Sequence, residues 1–216
     1  MPPNTHNRLD SVTSGAIMFA KSAQMARTVI SKLRDRQVDK FYIALSDRKP
    51  SKKQGTIAGD MIKGRRGSWM LQRTTSNNTA ITKFISTAVP SGPSGLRAFV
   101  LKPTTGKTHQ IRVAMKSLGS PVLGDERYAS ALEARLQQRG YLHAAALRLE
   151  LDDDLIQIVC RPDQGDEFLR DGFQQVFTDM FSTVFRATSA TAMEQQEWKV
   201  DSYPLFRSSS AFFIRQ

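Results

Sequence analysis

The chain has 216 residues, 40% of them hydrophobic, and carries 31 Lys and Arg against 20 Asp and Glu, a formal charge of +11. That length suits one domain, or one domain with a small appendage, the apolar content suffices for a core, and no apolar run is long enough to span a bilayer. A lone cysteine, Cys160, excludes an internal disulfide and a cysteine-based zinc site, and the first residues lack the basic-then-apolar pattern of a secretory leader, so the expected compartment is the cytoplasm.

A positive surplus of this size points to a polyanion, and nucleic acid is the usual one. The charge is concentrated. From Arg48 to Arg73 there are eight Lys and Arg against a single acid, Asp60, whereas the span from Glu150 to Asp171 is acidic. Such a basic run is what a phosphate-contacting surface requires.

In chain order, the polar stretch Asn7–Gly15 comes first. Asp10 lies there between a hydrophobe and a Ser/Thr/Gly turn, and taken alone it reads as an Asx-type turn entering a strand. Arg8 projects from the same side if the segment is extended. Gly15 to Phe19 reads as a buried strand. Ser22 to Arg36 reads as a helix, with Ala23, Ala26, Ile30 and Leu33 on one apolar face. Lys40 to Leu45 is β-branched and aromatic, hence a strand. Pro50 to Gly67 is a glycine-punctuated basic excursion with room for one short strand, Thr56 to Ile62, and Trp69 beyond it reads as a core residue.

Strands are expected over Ala80–Ala88 and Leu96–Leu101, joined by the turn formers Pro90–Gly95. Thr108 to Leu118 reads as a helix capped by Thr108 and stopped by Gly119. Its residues Ile111, Met115 and Leu118 face the core, and Arg112 and Lys116 lie on an adjacent face. A turn-rich loop (Ser120–Tyr128), a short helix (Ser130–Arg139), paired strands (Tyr141–Leu151 and Leu155–Cys160) and a closing helix (Glu167–Phe185) complete the pattern. Cys160 reads as a structural thiol at a strand end. Beyond Arg186 the sequence fades into Ser, Thr and Ala, and weak order is expected.

Three segments in order resemble the RluA type of pseudouridine synthase. They are Arg8-Leu9-Asp10-Ser11-Val12-Thr13-Ser14-Gly15; then Lys40-Phe41-Tyr42-Ile43-Ala44; then Gly106-Lys107-Thr108-His109-Gln110-Ile111-Arg112-Val113 with Gly119–Asp125 and Leu142-His143-Ala144. The resemblance covers roughly residues 7 to 162 and implies an α+β fold, a mixed, largely antiparallel sheet with flanking helices. Residues 1–180 would form the catalytic domain and 181–216 a weakly ordered tail. It implies isomerisation of uridine to pseudouridine in tRNA or rRNA by a monomer, with no cofactor and no metal. Asp10 would be the catalytic carboxylate, acting on the ribose either as nucleophile at C1′ or as base at C2′. Tyr42 would stack on the target base, Arg112 would pair with Asp10, and Arg8 would fill the gap left by the flipped uridine. Lys52, Lys53, Arg65, Arg66 and Lys107 join Arg8 as the expected RNA-binding set. His109 and His143 read as packing and hydrogen-bonding residues rather than ligands. Family members usually place an opening strand before the first motif, where this sequence has seven residues, so an unpaired sheet edge is expected. A second function stands beside the enzyme: an RNA-binding protein or chaperone that keeps the fold and the basic surface.

Overall fold

A computed structural model of the chain describes residues 9–76, 79–152, 154–188 and 212–215. Two short strands, β1 (Thr13–Gly15) and β2 (Ile17–Ala20), lead into α1 (Ala23–Arg34) and the central strand β3 (Val38–Ser46). A long hairpin follows, β4 (Gln54–Lys63) and β5 (Trp69–Gln72), then β6 (Thr79–Ala88) and β7 (Arg97–Pro103). The helices α2 (Gln110–Ser117) and α3 (Ala131–Ala134) precede β8 (Leu142–Leu151) and β9 (Asp154–Val159). Finally come α4 (Asp166–Leu169), α5 (Asp171–Thr188) and β10 (Phe212–Arg215).

The principal sheet runs β1-β8-β3-β7-β6-β4-β5, with β9 sharing the outer edge of β8 beside β1. Every pairing in it is antiparallel except β1 with β8. The sheet is therefore mixed and largely antiparallel, in an α+β fold. Side-chain alternation on β3 explains how it is covered on both faces. Phe41, Ile43 and Leu45 enter one core with Phe168, Phe173 and Phe177 of α4 and α5. Tyr42 and Ala44 enter the other, with Ile111, Ala114 and Met115 of α2. The period of two in the β3 sequence thus decides that Tyr42 lies on the α2 face.

Several boundaries differ from the sequence-based ones, each for a local reason. The expected strand over Gly15–Phe19 is broken at Ala16, because Gly15 turns at φ 107 with its backbone against Ala144; a Cβ there would stand 2.4 Å from the Ala144 carbonyl oxygen. Helix α1 is capped by the Ser22 hydroxyl as its sequence suggests. Its buried stripe is Ala26 and Val29 with Met25 and Leu33, while Ile30 is 39% exposed. The strand expected over Thr56–Ile62 extends to ten residues because β6 pairs with it along most of its length. Helix α2 starts one residue late, its cap being His109 rather than Thr108. The closing helix is split at Arg170, which is extended (ψ 137), and Gly172 lies so close to Pro90 that a Cβ would meet the Pro90 carbonyl oxygen at 1.8 Å.

Cys160 is buried, with its thiol pushed up to about 11 by burial and then by the Asp163 charge, as suits a structural residue. In the segment expected to be weakly ordered, α5 continues to Thr188 and β10 pairs antiparallel with β2, Phe212 against Ala20 through Arg215 against Ile17. Residues 189–211 lie outside the described residues. The edge of β2, next to the Asp10 segment, is therefore occupied. No helix among the described residues is long and apolar enough to cross a membrane.

Candidate active site

Asp10 closes a tight turn in which the Thr13 N–H donates to its carbonyl at 2.8 Å, and β1 begins directly after it. Parallel pairing with β8 (Thr13 with Leu142, Ser14 with His143, Gly15 with Ala144) fixes this turn against the sheet. A side-chain network repeats the tie. The His143 Nε2 lies 3.0 Å from the Cys160 carbonyl, which can only accept, so Nε2 carries the proton and Nδ1 accepts from the Ser14 hydroxyl at 2.8 Å. Arg139 Nη2 in turn donates to Ser14 Oγ at 2.6 Å. Burial, more than any other cause, drives His143 down to about 4. Its part is structural, as its sequence context suggests.

Arg112 on α2 is the hub. It is 4% exposed, not the solvated helix residue its spacing alone would allow. Its Nε and Nη2 donate to the two carboxylate oxygens of Asp125 at 2.7 and 2.8 Å, and its remaining Nη1 donates to Asp10 at 3.4 Å. Burial opposes the Arg112 charge, but the hydrogen bonds and charge of Asp125, with Asp10 behind them, outweigh it and raise its pKa. Asp125 is fully buried and also accepts the backbone N–H groups of Arg127 and Tyr128 at 3.0 and 3.2 Å. The guanidinium is thus held by one carboxylate and offered to another. Asp10 is the more open of the two, with a side chain 28% exposed.

Tyr42 joins them from β3. Burial, followed by the negative charge of Asp10, pushes its phenol up to about 12, so it stays protonated through the neutral range. The Tyr128 ring lies beneath Arg112, whose Cζ is 4.9 Å from the ring centroid. Lys40, one side-chain repeat from Tyr42 on β3, is held below the ordinary lysine range by burial.

The structure thus brings Asp10, Tyr42 and Arg112 into one electrostatic neighbourhood. Arg8 lies outside the described residues. Lys107 precedes α2, its N–H donating to Gln110 Oε1 at 2.9 Å. The four remaining basic residues do not form one patch. Lys52 and Lys53 precede β4 and Arg65 and Arg66 follow it, and ten strand residues separate the pairs by about 30 Å. Only the second pair is tied to the site, through Arg127, whose Nη1 donates to the Arg66 carbonyl at 2.6 Å. Asp125 and Tyr128 were missed as site residues. The signal for Asp125 was present in the Gly124-Asp125 end of the third motif: a carboxylate among apolar residues needs a cation, and Arg112 is the cation one helix away.

This fold, an open mixed sheet with a carboxylate–guanidinium–carboxylate set on one face, is that of an RNA-modifying isomerase. The sequence model of the family described as RNA pseudouridylate synthase matches residues 2–117. An uncharacterised RNA pseudouridine synthase of Haemophilus influenzae is 46% identical over 164 residues, covering 76% of this chain and 70% of its own. The dual-specificity RNA pseudouridine synthase RluA of Escherichia coli strain K12 is 33% identical over 146 residues, 66% of this chain and 65% of its own. Among solved structures, human RNA pseudouridylate synthase domain containing 1 shares the fold with a TM-score of 0.64 at 24% identity, covering 82% of this chain and 79% of that one. The chain belongs to the RNA pseudouridylate synthase family, a family of isomerases.

Proposed function

We propose that the chain isomerises uridine to pseudouridine in structured tRNA or rRNA, with Asp10 as the group that reacts at the ribose. The observation that carries this reading is the division of Arg112 between a fully buried carboxylate and a part-exposed one. Asp125 immobilises the guanidinium, and Nη1 aims the Asp10 carboxylate without covering it. Tyr42 supplies an aromatic wall for the uracil, and its un-ionised phenol adds no competing negative charge beside Asp10. The target nucleotide must leave its stack to reach this surface.

The chemistry closes without a redox partner or group carrier. The bond from N1 to C1′ breaks, the uracil turns, a bond from C5 to C1′ forms, C5 gives up its proton, and N1 gains one. Substrate and product are isomers. Asp10 contributes either by attacking C1′ or by removing the C2′ proton, and both routes need an ionised carboxylate. Arg65 and Arg66, held at the site through Arg127, are the cations best placed to meet the RNA backbone.

The test is Asp10→Asn. It keeps side-chain volume, removes charge and nucleophilicity, and is expected to abolish pseudouridine formation in bulk RNA while RNA affinity stays within about twofold. A wild-type chain that binds RNA yet forms no pseudouridine would instead favour an RNA-binding protein that has kept the synthase fold.

A further inference from the structure

His109 sits where the chain enters α2, with left-handed backbone (φ 57). A non-glycine residue in that region is strained by about 1–2 kcal/mol, and such strain clusters where a side chain is being aimed. The ring meets Tyr128 edge-on, at 80° and a centroid separation of 5.7 Å. Tyr128 Oη lies 2.8 Å from His109 Nδ1 and also accepts the backbone N–H of Trp69 at 3.0 Å.

These two contacts decide the tautomer. Were the imidazole proton on Nδ1, two N–H groups would converge on one phenol oxygen and the phenol proton would have no acceptor. The arrangement that satisfies the Trp69 N–H, the phenol and Nδ1 together has Trp69 N–H donating to Tyr128, Tyr128 O–H donating to Nδ1, and the imidazole proton on Nε2. Nε2–H then has no protein partner among the described residues. The charged groups around the ring are those of the site: Asp10, Arg112, Arg127 and Asp125. Partial burial is the largest influence and holds His109 below the usual histidine value; Asp10 and Asp125 act against it, and Arg112 and Arg127 act with it, so the neutral ring is favoured.

We propose that the Nε2–H of His109 donates a hydrogen bond to a sugar–phosphate oxygen of the target nucleotide beside Asp10, and that Trp69 and Tyr128 fix the tautomer that permits it. The proposal rests on the synthase reading above. It gives Trp69, the first residue of β5, a second purpose beyond packing against Met61 and Val113: the hairpin that carries Arg65 and Arg66 also orients a proton in the site.

His109→Phe keeps a planar ring without a donor, and His109→Gln restores an N–H donor. The expected result is a single-turnover rate lowered about tenfold to hundredfold by His109→Phe, with RNA affinity within about twofold, and most of that loss recovered by His109→Gln. The 15N spectrum of the wild-type ring should show a protonated Nε2 and an unprotonated Nδ1 at neutral pH. With 4-thiouridine or 2-thiouridine at the target position, the effect of His109→Phe should add to that of the sulfur, since the acceptor is neither base carbonyl. A proton on Nδ1, a Gln variant as slow as the Phe variant, or non-additivity with either thiouridine overturns the assignment. An active wild type indifferent to His109→Phe removes the assignment alone, whereas a wild type with no pseudouridine-forming activity removes the synthase reading as well.

Discussion

Replacing Asp125 with Asn should cost more stability than replacing Asp10 with Asn, although Asp10 is the proposed reactive group. In Asp125→Asn the oxygen can stay where it accepts from Arg112 Nη2 and the N–H groups of Arg127 and Tyr128. The new amide then faces Arg112 Nε, 2.7 Å from the oxygen it replaces, donor against donor. Arg112 is left 4% exposed with a neutral oxygen on Nη2 and one longer contact to a charged partner, Asp10. Breaking a buried ion pair on one side costs about 3–5 kcal/mol. With part of the charge still met by Asp10, we expect about 3 kcal/mol, or roughly 6–12 °C in the melting temperature of a domain this size. Asp10→Asn removes one 3.4 Å contact from a side chain that is 28% exposed, which should change stability by less than about 1 kcal/mol. Urea unfolding of the two variants beside the wild type measures both. Equal costs, or an Asp125→Asn cost below about 1 kcal/mol, would refute the claim that Asp125 is the anchor of Arg112.

Stability should fall on acidification through the His143 window: the unfolded ring takes up a proton near pH 6.5 and the folded ring only near 4, so between these values protonation favours the unfolded chain by up to about 3 kcal/mol. His143→Asn removes that acid loss, so the stability gap between wild type and variant should narrow from pH 7 to pH 4.5; a gap independent of pH would contradict the assignment. Gly15→Ala should cost at least about 2 kcal/mol and depress turnover, because the residue is at φ 107 and its new Cβ meets the Ala144 carbonyl; thermal unfolding checks the first effect. On a short stem-loop RNA, removing the charges of Arg65 and Arg66 together should lower the salt slope of binding by roughly 1.4–1.8, while removing those of Lys52 and Lys53, about 30 Å away, should leave it unchanged; equal effects would place the RNA along the whole of β4.

What the sequence made legible follows the range of the forces involved. The strand through Tyr42 was readable from its β-branched and aromatic character, but with both faces apolar the side on which Tyr42 lies follows only from the helices that cover the sheet. The basic excursion was readable as charge and only partly as geometry: the short strand expected over Thr56–Ile62 gives no measure of how far the ten residues of β4 part Lys53 from Arg65. The early start predicted for α2 failed because Thr108 looks like a cap, while in the fold His109 takes that position with left-handed backbone held by Tyr128. Asp125 and Tyr128 were hidden for a related reason. Their meaning lies in contacts with Arg112, Trp69 and His109, and such contacts exist only after α2, β5 and the loop ahead of α3 have met.

The parallel pairing of β1 with β8 has a consequence for how the protein comes into being. Ser14 and His143, which the pairing joins, are 129 positions apart, and Arg112 lies 102 positions after Asp10. At about 5–20 residues per second on the ribosome, the Asp10 segment waits roughly 6–26 s before its strand partner has been made. The proposed reactive carboxylate is thus synthesised well before the strand and the helix that set it in place. Contacts of such long range also make folding slow. A nascent chain stalled before β8 would carry the whole of the basic hairpin and no assembled site, so RNA contact could precede the capacity to modify RNA during every round of synthesis.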